Sequence, residues 1–358
     1  MNSQTTTETL ISPEAQLSPD LNQVKEDLSQ KKATSPAPSF SRDLLASRAH
    51  YKPFEYPQFF EYFKLQQQAH WLPTEVPMAD DLVDFKSKLT AQESNLIIQV
   101  LRFFTQGDIE VQNNYNSKLI HLFPKPEVTM MLTAFAAMET VHVWAYSHLN
   151  DTLGLPEVEY KAFLEYEAMK NKYEYLQQFK ISSKRDIAKN LAIFGGFMEG
   201  VCLFASFAIL MNFPRRGLLK NVGQIITWSI RDESLHSEGI CALFRDYVKE
   251  NPKLWNQELK DEIYQACRDM INLEDNFIDT CFALGPVEGL KPDEVKKYIR
   301  YIANRRLQDL MLEPIYEEAK QNPLPWLNLM INGKEHANFF ETRATEYSKG
   351  AIIDDWES

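Results

Sequence analysis

The chain of 358 residues is poor in the features that mark several functional classes. It has four cysteines, at positions 202, 241, 267 and 281, and no two of them form a C-x-x-C pair. That excludes a disulfide framework or zinc ribbon as the organising device and fits a reducing compartment, so a cytoplasmic protein is expected. Positive charge is also scarce: 38 Lys and Arg against 50 Asp and Glu leave a formal net charge of −12. With no basic footprint, nucleic acid is not an expected partner. No basic-then-apolar leader opens the sequence, no alternating run reads as a strand, and no glycine-rich phosphate loop occurs. Long apolar runs are nearly missing as well. The one that stands out, Leu191 to Phe213, is long enough to cross a bilayer, but Glu199 sits near its centre. A helix that is apolar all round is what the middle of a large bundle requires, so a buried core helix and no membrane partner are expected.

What is present is helical pattern. Residues 1–40 are rich in Ser, Thr, Gln, Pro and acids, and read as a disordered tail. From Tyr51 aromatics take over, and a loop follows with Trp71 in the stretch WLPTEV. Thr90-Ala-Gln-Glu93 is a capping box opening a helix in which Leu96, Val100, Phe104 and Asp108 share a face. Pro126 opens the next, where Val128, Met131, Leu132, Phe135, Glu139, His142 and Tyr146 form one stripe, closed by Gly154 and Pro156. Ser183 and Asp186 cap the apolar helix of Glu199, expected to end before Pro214. A helix with Glu233 and His236 follows, then helical patterns over 255–283 and 292–320. The expected fold class is all-α.

Two short copies of one pattern, Glu-x-x-His, stand on these stripes: Glu139 with His142, and Glu233 with His236. Residues three apart share a helix face, so each pair can present a carboxylate and an imidazole to one point. Ferritin-like di-iron and di-manganese proteins combine two such pairs with one acid from each of two further helices. Asp108, 31 residues before Glu139, and Glu199, 34 before Glu233, either are those acids or pair with arginines or sit protonated. Unpaired carboxylates in a core are costly, and binding a metal is one of few ways to keep them ionised. Six oxygen and nitrogen donors without a thiolate suit iron or manganese better than zinc or copper. Tyr146, one turn beyond His142, is either a core tyrosine or the seat of a one-electron oxidation in a pocket lined by Leu203, Phe207 and Ile230. Asp232 is either a cap or surface acid or a carboxylate that orients a ligand histidine. His148 falls on another face and reads as structural, while His50, His70, His121 and His336 carry no such pattern.

The order Asp108, Glu139-x-x-His142, Tyr146, Glu199, Asp232-Glu233-x-x-His236 resembles the radical-generating small subunit of class I ribonucleotide reductase, over roughly residues 50–350. The resemblance implies a ferritin-like helical bundle, here 41–335, that forms a homodimer around a dinuclear metal site. It implies Asp108, Glu139 and His142 on one metal, and Glu199, Glu233 and His236 on the other. Reaction with molecular oxygen would oxidise Tyr146 to a stable radical. The radical equivalent would leave through His142, Asp232 and Trp71 towards a large catalytic subunit, which turns ribonucleotides into deoxyribonucleotides. Tyr347 is the implied last relay residue, in a flexible tail over 336–358 whose acidic end with Trp356 docks on the large subunit. Two iron ions per chain are implied, with manganese or mixed iron–manganese sites using nearly the same ligands, and a flavoprotein activator needed for a manganese form. A di-metal oxygenase or ligand-binding oxidase on the same scaffold, or a ferritin-type iron binder, are the other functions these ligands allow.

Overall fold

The computed structural model describes residues 42–156, 158 and 165–331. The expected tails 1–40 and 336–358, with His336, Tyr347 and Trp356, lie outside the described residues. The described residues up to 324 belong to one compact unit, and the helical residues 325–331 fall in a second. Among the described residues there is no strand, only one isolated bridge between Val287 and Leu290.

The helices are α1 (Pro57–Gln68), α2 (Ala79–Ser87), α3 (Ala91–Asn114), α4 (Pro126–Leu153), α5 (Glu167–Gln177), α6 (Lys184–Arg215), α7 (Lys220–Glu250), α8 (Gln257–Cys281) and α9 (Pro292–Asp309). α3, α4, α7 and α6 pack in that order around a closed ring, α1 covers α4 and α7, and α8 and α9 cover α6. This is the ferritin-like arrangement expected.

Local chemistry explains most of the ends. Thr90 Oγ1 accepts from Glu93 N at 3.2 Å while Glu93 Oε2 accepts from Thr90 N at 2.8 Å, the capping box read from the sequence. Ser183 caps α6 through Asp186 N, and Gly154 closes α4 in the left-handed region at φ 73°. The start of α7 has no local cap. Its free N–H groups are met by α2 instead: Asp84 accepts from Leu219 N at 3.0 Å and Asp81 from Val222 N at 2.6 Å. Glu127, fully buried at the start of α4, ties down the incoming chain by accepting from Arg48, Glu55 N and Tyr56 N.

Three expectations need correction. The pattern over 292–320 is helical only to Asp309, because Met311 turns to φ 61° and Pro314 denies the next turn an N–H donor. The apolar helix runs past Pro214 to Arg215, the proline being tolerated in the last turn. α4 also has the length and hydropathy of a membrane span, so the apolar helix is not alone in this, though only 56% of the α4 window is buried against 100% for α6. Glu199 and its neighbours are therefore core, enclosed by α3, α7, α8 and α9.

α6 is not a uniform α-helix. Leu191–Cys202 widens to i→i+5 bonding, and α3 runs on through a similar wide turn, Tyr115–Leu119. Such widenings tend to mark functional sites. A closely approached glycine lets the wide stretch meet α7: a Cβ on Gly195 would fall 2.2 Å from Ile240.

Candidate metal centre

α3, α4, α6 and α7 each turn at least one ligand-type side chain into the ring. Asp108, Glu139, His142, Glu233 and His236 are fully buried, and Glu199 nearly so. Helical spacing alone would have turned Glu199 away. From Asn190, nine residues are two and a half α-helical turns, so Glu199 would point opposite Asn190. At roughly 4.4 residues per turn for i→i+5 bonding, nine residues are close to two full turns, and both face α3. The widening of α6 thus re-aims the acid.

The six residues form two groups whose donor atoms lie within 4.8 Å of one another: Asp108, Glu139 and His142, and Glu139, Glu199, Glu233 and His236. Glu139 belongs to both. Glu233 also stands between the histidines, 3.0 Å from His142 Nδ1 and 3.9 Å from His236 Nδ1. Glu139 and Glu233 thus join the two groups.

The outer nitrogens of both histidines are committed elsewhere. His142 Nε2 lies 3.2 Å from Asp232 Oδ2, which also accepts from Trp71 Nε1 at 2.7 Å. His236 Nε2 lies 2.9 Å from Gln66 Oε1, and the Gln66 amide nitrogen is 3.4 Å from Asp232 Oδ1. Asp232 is fully buried; burial pushes it up, but Arg231, His142 and Trp71 outweigh that and hold it below the usual carboxylate range. An ionised Asp232 can only accept, so His142 Nε2 must donate. It also orients the Gln66 amide, so His236 Nε2 donates as well. One carboxylate thereby fixes both tautomers and leaves both Nδ1 lone pairs facing the cluster.

Ten atoms there have no hydrogen-bond partner: both oxygens of Asp108, Glu139, Glu199 and Glu233, and Nδ1 of His142 and His236. His236 Nδ1 sits 2.8 Å from Glu139 Oε1, a contact between two lone pairs when the ring is neutral. The chemistry of this donor set fits a metal pair. Without one, protons must substitute. Burial and then the Glu139 charge push Asp108, Glu199 and Glu233 well up. Burial also pushes Glu139 up, but the imidazoles of His142 and His236 beside it hold it down. His142 is raised well above the usual imidazole range, since Asp232, Glu139 and Glu233 outweigh the opposing effect of burial.

Tyr146 is 1% exposed, stacked on Phe104 at 4.2 Å between ring centroids, with Phe207 next in the same cluster, 5.6 Å from Phe104. Its ring is 6.3 Å from His142. Burial and then the Asp108 charge push its phenol well up. Trp71 is buried, 6.0 Å from the His142 ring and 5.2 Å from Trp228. The structure thus places Tyr146, Asp232 and Trp71 around the six ligand candidates, and adds Gln66, Arg231 and Tyr115. Gln66 and Arg231 gave no periodic signal, since their roles depend on α1 and α7 meeting at Asp232.

A four-helix ring with a carboxylate and histidine cluster for metals at its centre defines a ferritin-like di-metal carboxylate protein. The match to the family model of the ribonucleotide reductase small chain, over residues 48–323, makes it more particular: the chain belongs to that family. The probable ribonucleoside-diphosphate reductase small subunit of Invertebrate iridescent virus 3 is 42% identical over 331 residues, covering 87% of this chain and 88% of the relative. The ribonucleoside-diphosphate reductase subunit beta of Chlamydia pneumoniae is 30% identical over 309 residues, covering 82% and 88%. Among solved structures, the ribonucleotide reductase R2 subunit from Clostridium botulinum superposes with a TM-score of 0.74 at 20% identity, covering 79% of this chain and 91% of that one, a likeness of fold. The chain is a ribonucleotide reductase small subunit, working with a large subunit.

Proposed function

We propose that Asp108, Glu139, His142, Glu199, Glu233 and His236 hold two iron ions, and that Tyr146 stores the radical this subunit delivers. The observation that carries the reading is the set of ten partnerless donor atoms in two groups sharing Glu139. The metal pair, when bound, supplies one-electron oxidising power drawn from molecular oxygen. Asp108 is the carboxylate whose charge acts most strongly on Tyr146, and it stands to receive the phenol proton when the ring loses an electron. Phe104 and Phe207 keep water and reductants from the ring, which favours a long-lived radical. His142, Asp232 and Trp71 form a hydrogen-bonded chain from the cluster to a buried indole, suited to carrying the radical equivalent outwards.

Tyr347 and the Trp356 segment, outside the described residues, would complete that route and dock on the large subunit. A homodimer is supported by the bare outer face of α4, where Thr133, Ala137, Thr140 and Trp144 are exposed. Four buried, unbridged cysteines fit a cytoplasmic setting. Manganese in place of iron would call for a flavoprotein activator. The test is electron paramagnetic resonance with metal analysis on protein from its own host. Tyr146→Phe is expected to abolish the organic radical signal while keeping about two metal ions per chain. A Tyr146→Phe chain with the signal intact would sink the assignment.

A further inference from the structure

At the second ligand group stands another buried phenol. Tyr115 opens the wide turn that follows α3, seven residues beyond Asp108. It is 2% exposed, its ring lies 6.4 Å from His236 and 6.3 Å from Phe135, and its hydroxyl closes no hydrogen bond of good geometry. Buried tyrosines normally find a partner for this group. Leaving it unpaired carries a desolvation cost that phenylalanine in the same space would avoid. The charge acting most strongly on the Tyr115 hydroxyl is that of Glu199, ahead of Glu139 and Glu233. For Tyr146 it is that of Asp108. The rings stand accordingly, Tyr146 6.3 Å from His142 of one ligand group and Tyr115 6.4 Å from His236 of the other, so each group has a phenol of its own.

The two backbones that carry Tyr115 and Glu199 are tied together where each begins to widen. Asn114, just before Tyr115, and Asn190, just before Leu191, exchange two amide hydrogen bonds: Asn114 Nδ2 to Asn190 Oδ1 at 3.1 Å and Asn190 Nδ2 to Asn114 Oδ1 at 2.9 Å. Both side chains are buried. Such a reciprocal pair permits only one register and one rotation of α3 against α6. It sets Tyr115 one residue on from one amide and Glu199 about two wide turns on from the other. His142 and His236 have Asp232 and Gln66 to orient them, whereas neither Glu199 oxygen has a partner.

We propose that Tyr115 is the positioning donor for Glu199: its hydroxyl closes on one carboxylate oxygen and leaves the other turned to the metal. The inference rests on the dinuclear reading and assigns a residue which that reading does not use. A donor on one oxygen would leave the other as the atom with which Glu199 holds the metal. The amide pair ties the two helices together beside both residues.

The test titrates metal-stripped protein with Mn(II) while electron paramagnetic resonance reads the free ion. The wild type is expected to take up two ions per chain. Tyr115→Phe is expected to leave one position unchanged and weaken the other by about 10-fold, the lower end of what losing such an orienting partner costs. The stripped variant should melt no lower than the wild type. Equal two-site isotherms in both chains would overturn the inference while leaving the dinuclear reading intact, and a wild type that takes up no ion would overturn both. Equal weakening of both positions with a lowered melting temperature would mark a packing role and also overturn it. Should Tyr115→Phe fail to fold, 3-fluorotyrosine at position 115 gives a second readout. Its fluorine resonance is expected to shift as Zn(II) fills the site, and a resonance that does not move refutes the proposal.

Discussion

Asp232→Asn is the perturbation whose outcome the geometry constrains most tightly. Asp232 Oδ2 faces Trp71 Nε1 and His142 Nε2, and Oδ1 faces Gln66 Nε2 with Arg231 Nε and Nη2. Five donors converge on a carboxylate that can only accept. An amide has one accepting oxygen, so two orientations are available. With NH2 towards Oδ2's partners, the Trp71 indole loses its acceptor and His142 must accept at Nε2. That moves the ring proton to Nδ1 and removes its lone pair from the cluster. With NH2 towards Oδ1's partners, it meets a guanidinium and another amide donor, and the buried end of Arg231 loses its counter-charge. Hydrogen bonds to charged groups contribute about 1.5–3 kcal/mol each, so the loss should be about 3 kcal/mol. For a chain of this size that is on the order of 5 °C in melting temperature. Metal affinity at the His142 position should fall about 10–100-fold. The assays are thermal melting of stripped protein, Mn(II) titration, and turnover with the large subunit at saturating metal. In the first orientation turnover should also stay low when metal is saturating, because the Trp71 contact is lost too. Wild-type uptake together with wild-type turnover would refute this account of Asp232.

Other expectations follow from packing and charge. Gly195→Ala would set a Cβ 2.2 Å from Ile240 Cγ2, and should destabilise the fold by about 3 kcal/mol in urea unfolding. Unchanged stability in Gly195→Ala would argue against the close approach of α6 to α7. Burial and the Glu139 charge raise Asp108, Glu199 and Glu233 in the metal-free fold, so they keep protons over a range where the unfolded chain has lost them. Their contribution to metal-free stability is therefore full below the ordinary carboxylate range and declines as pH rises towards the raised values. Metal displaces the same protons, so the gain in melting temperature on loading should be larger at about pH 7.5 than at about pH 5.5. A gain independent of pH would contradict the charge balance described here.

Much of the fold was legible because helices announce themselves twice, by periodicity and by caps. Thr90 with Glu93, Ser183 with Asp186, and Gly154 each mark an end that the backbone respects. The stripe from Val128 to Tyr146 is buried residue for residue. What was not legible is where partners come from other elements. The start of α7 shows no cap in its own sequence because Asp81 and Asp84 reach it from α2. Gln66 sits on α1, a helix with a weak pattern, and acquires its role only by lying between His236 and Asp232. The tail of the 292–320 pattern is long and polar enough to continue as helix, and one left-handed residue, Met311, ends it.

The same distinction applies inside the site. Residue type identified Glu199 from the sequence, but its direction follows from a wide stretch that ordinary helical spacing would misplace by half a turn. That stretch is buried along its whole length, and the buried Asn114–Asn190 pair meets its first turn. A widened helix gives up good hydrogen-bond geometry, so it persists only where packing over-determines it. Here Gly195 against Ile240, and Gly200 against Ser237 and Arg306, leave no room for the Cβ atoms that most residues would bring. The widening is therefore built into the packing before any metal arrives. The uncompensated charge of the cluster is met by rigid surroundings, and metal binding can relieve that charge without rearranging α6.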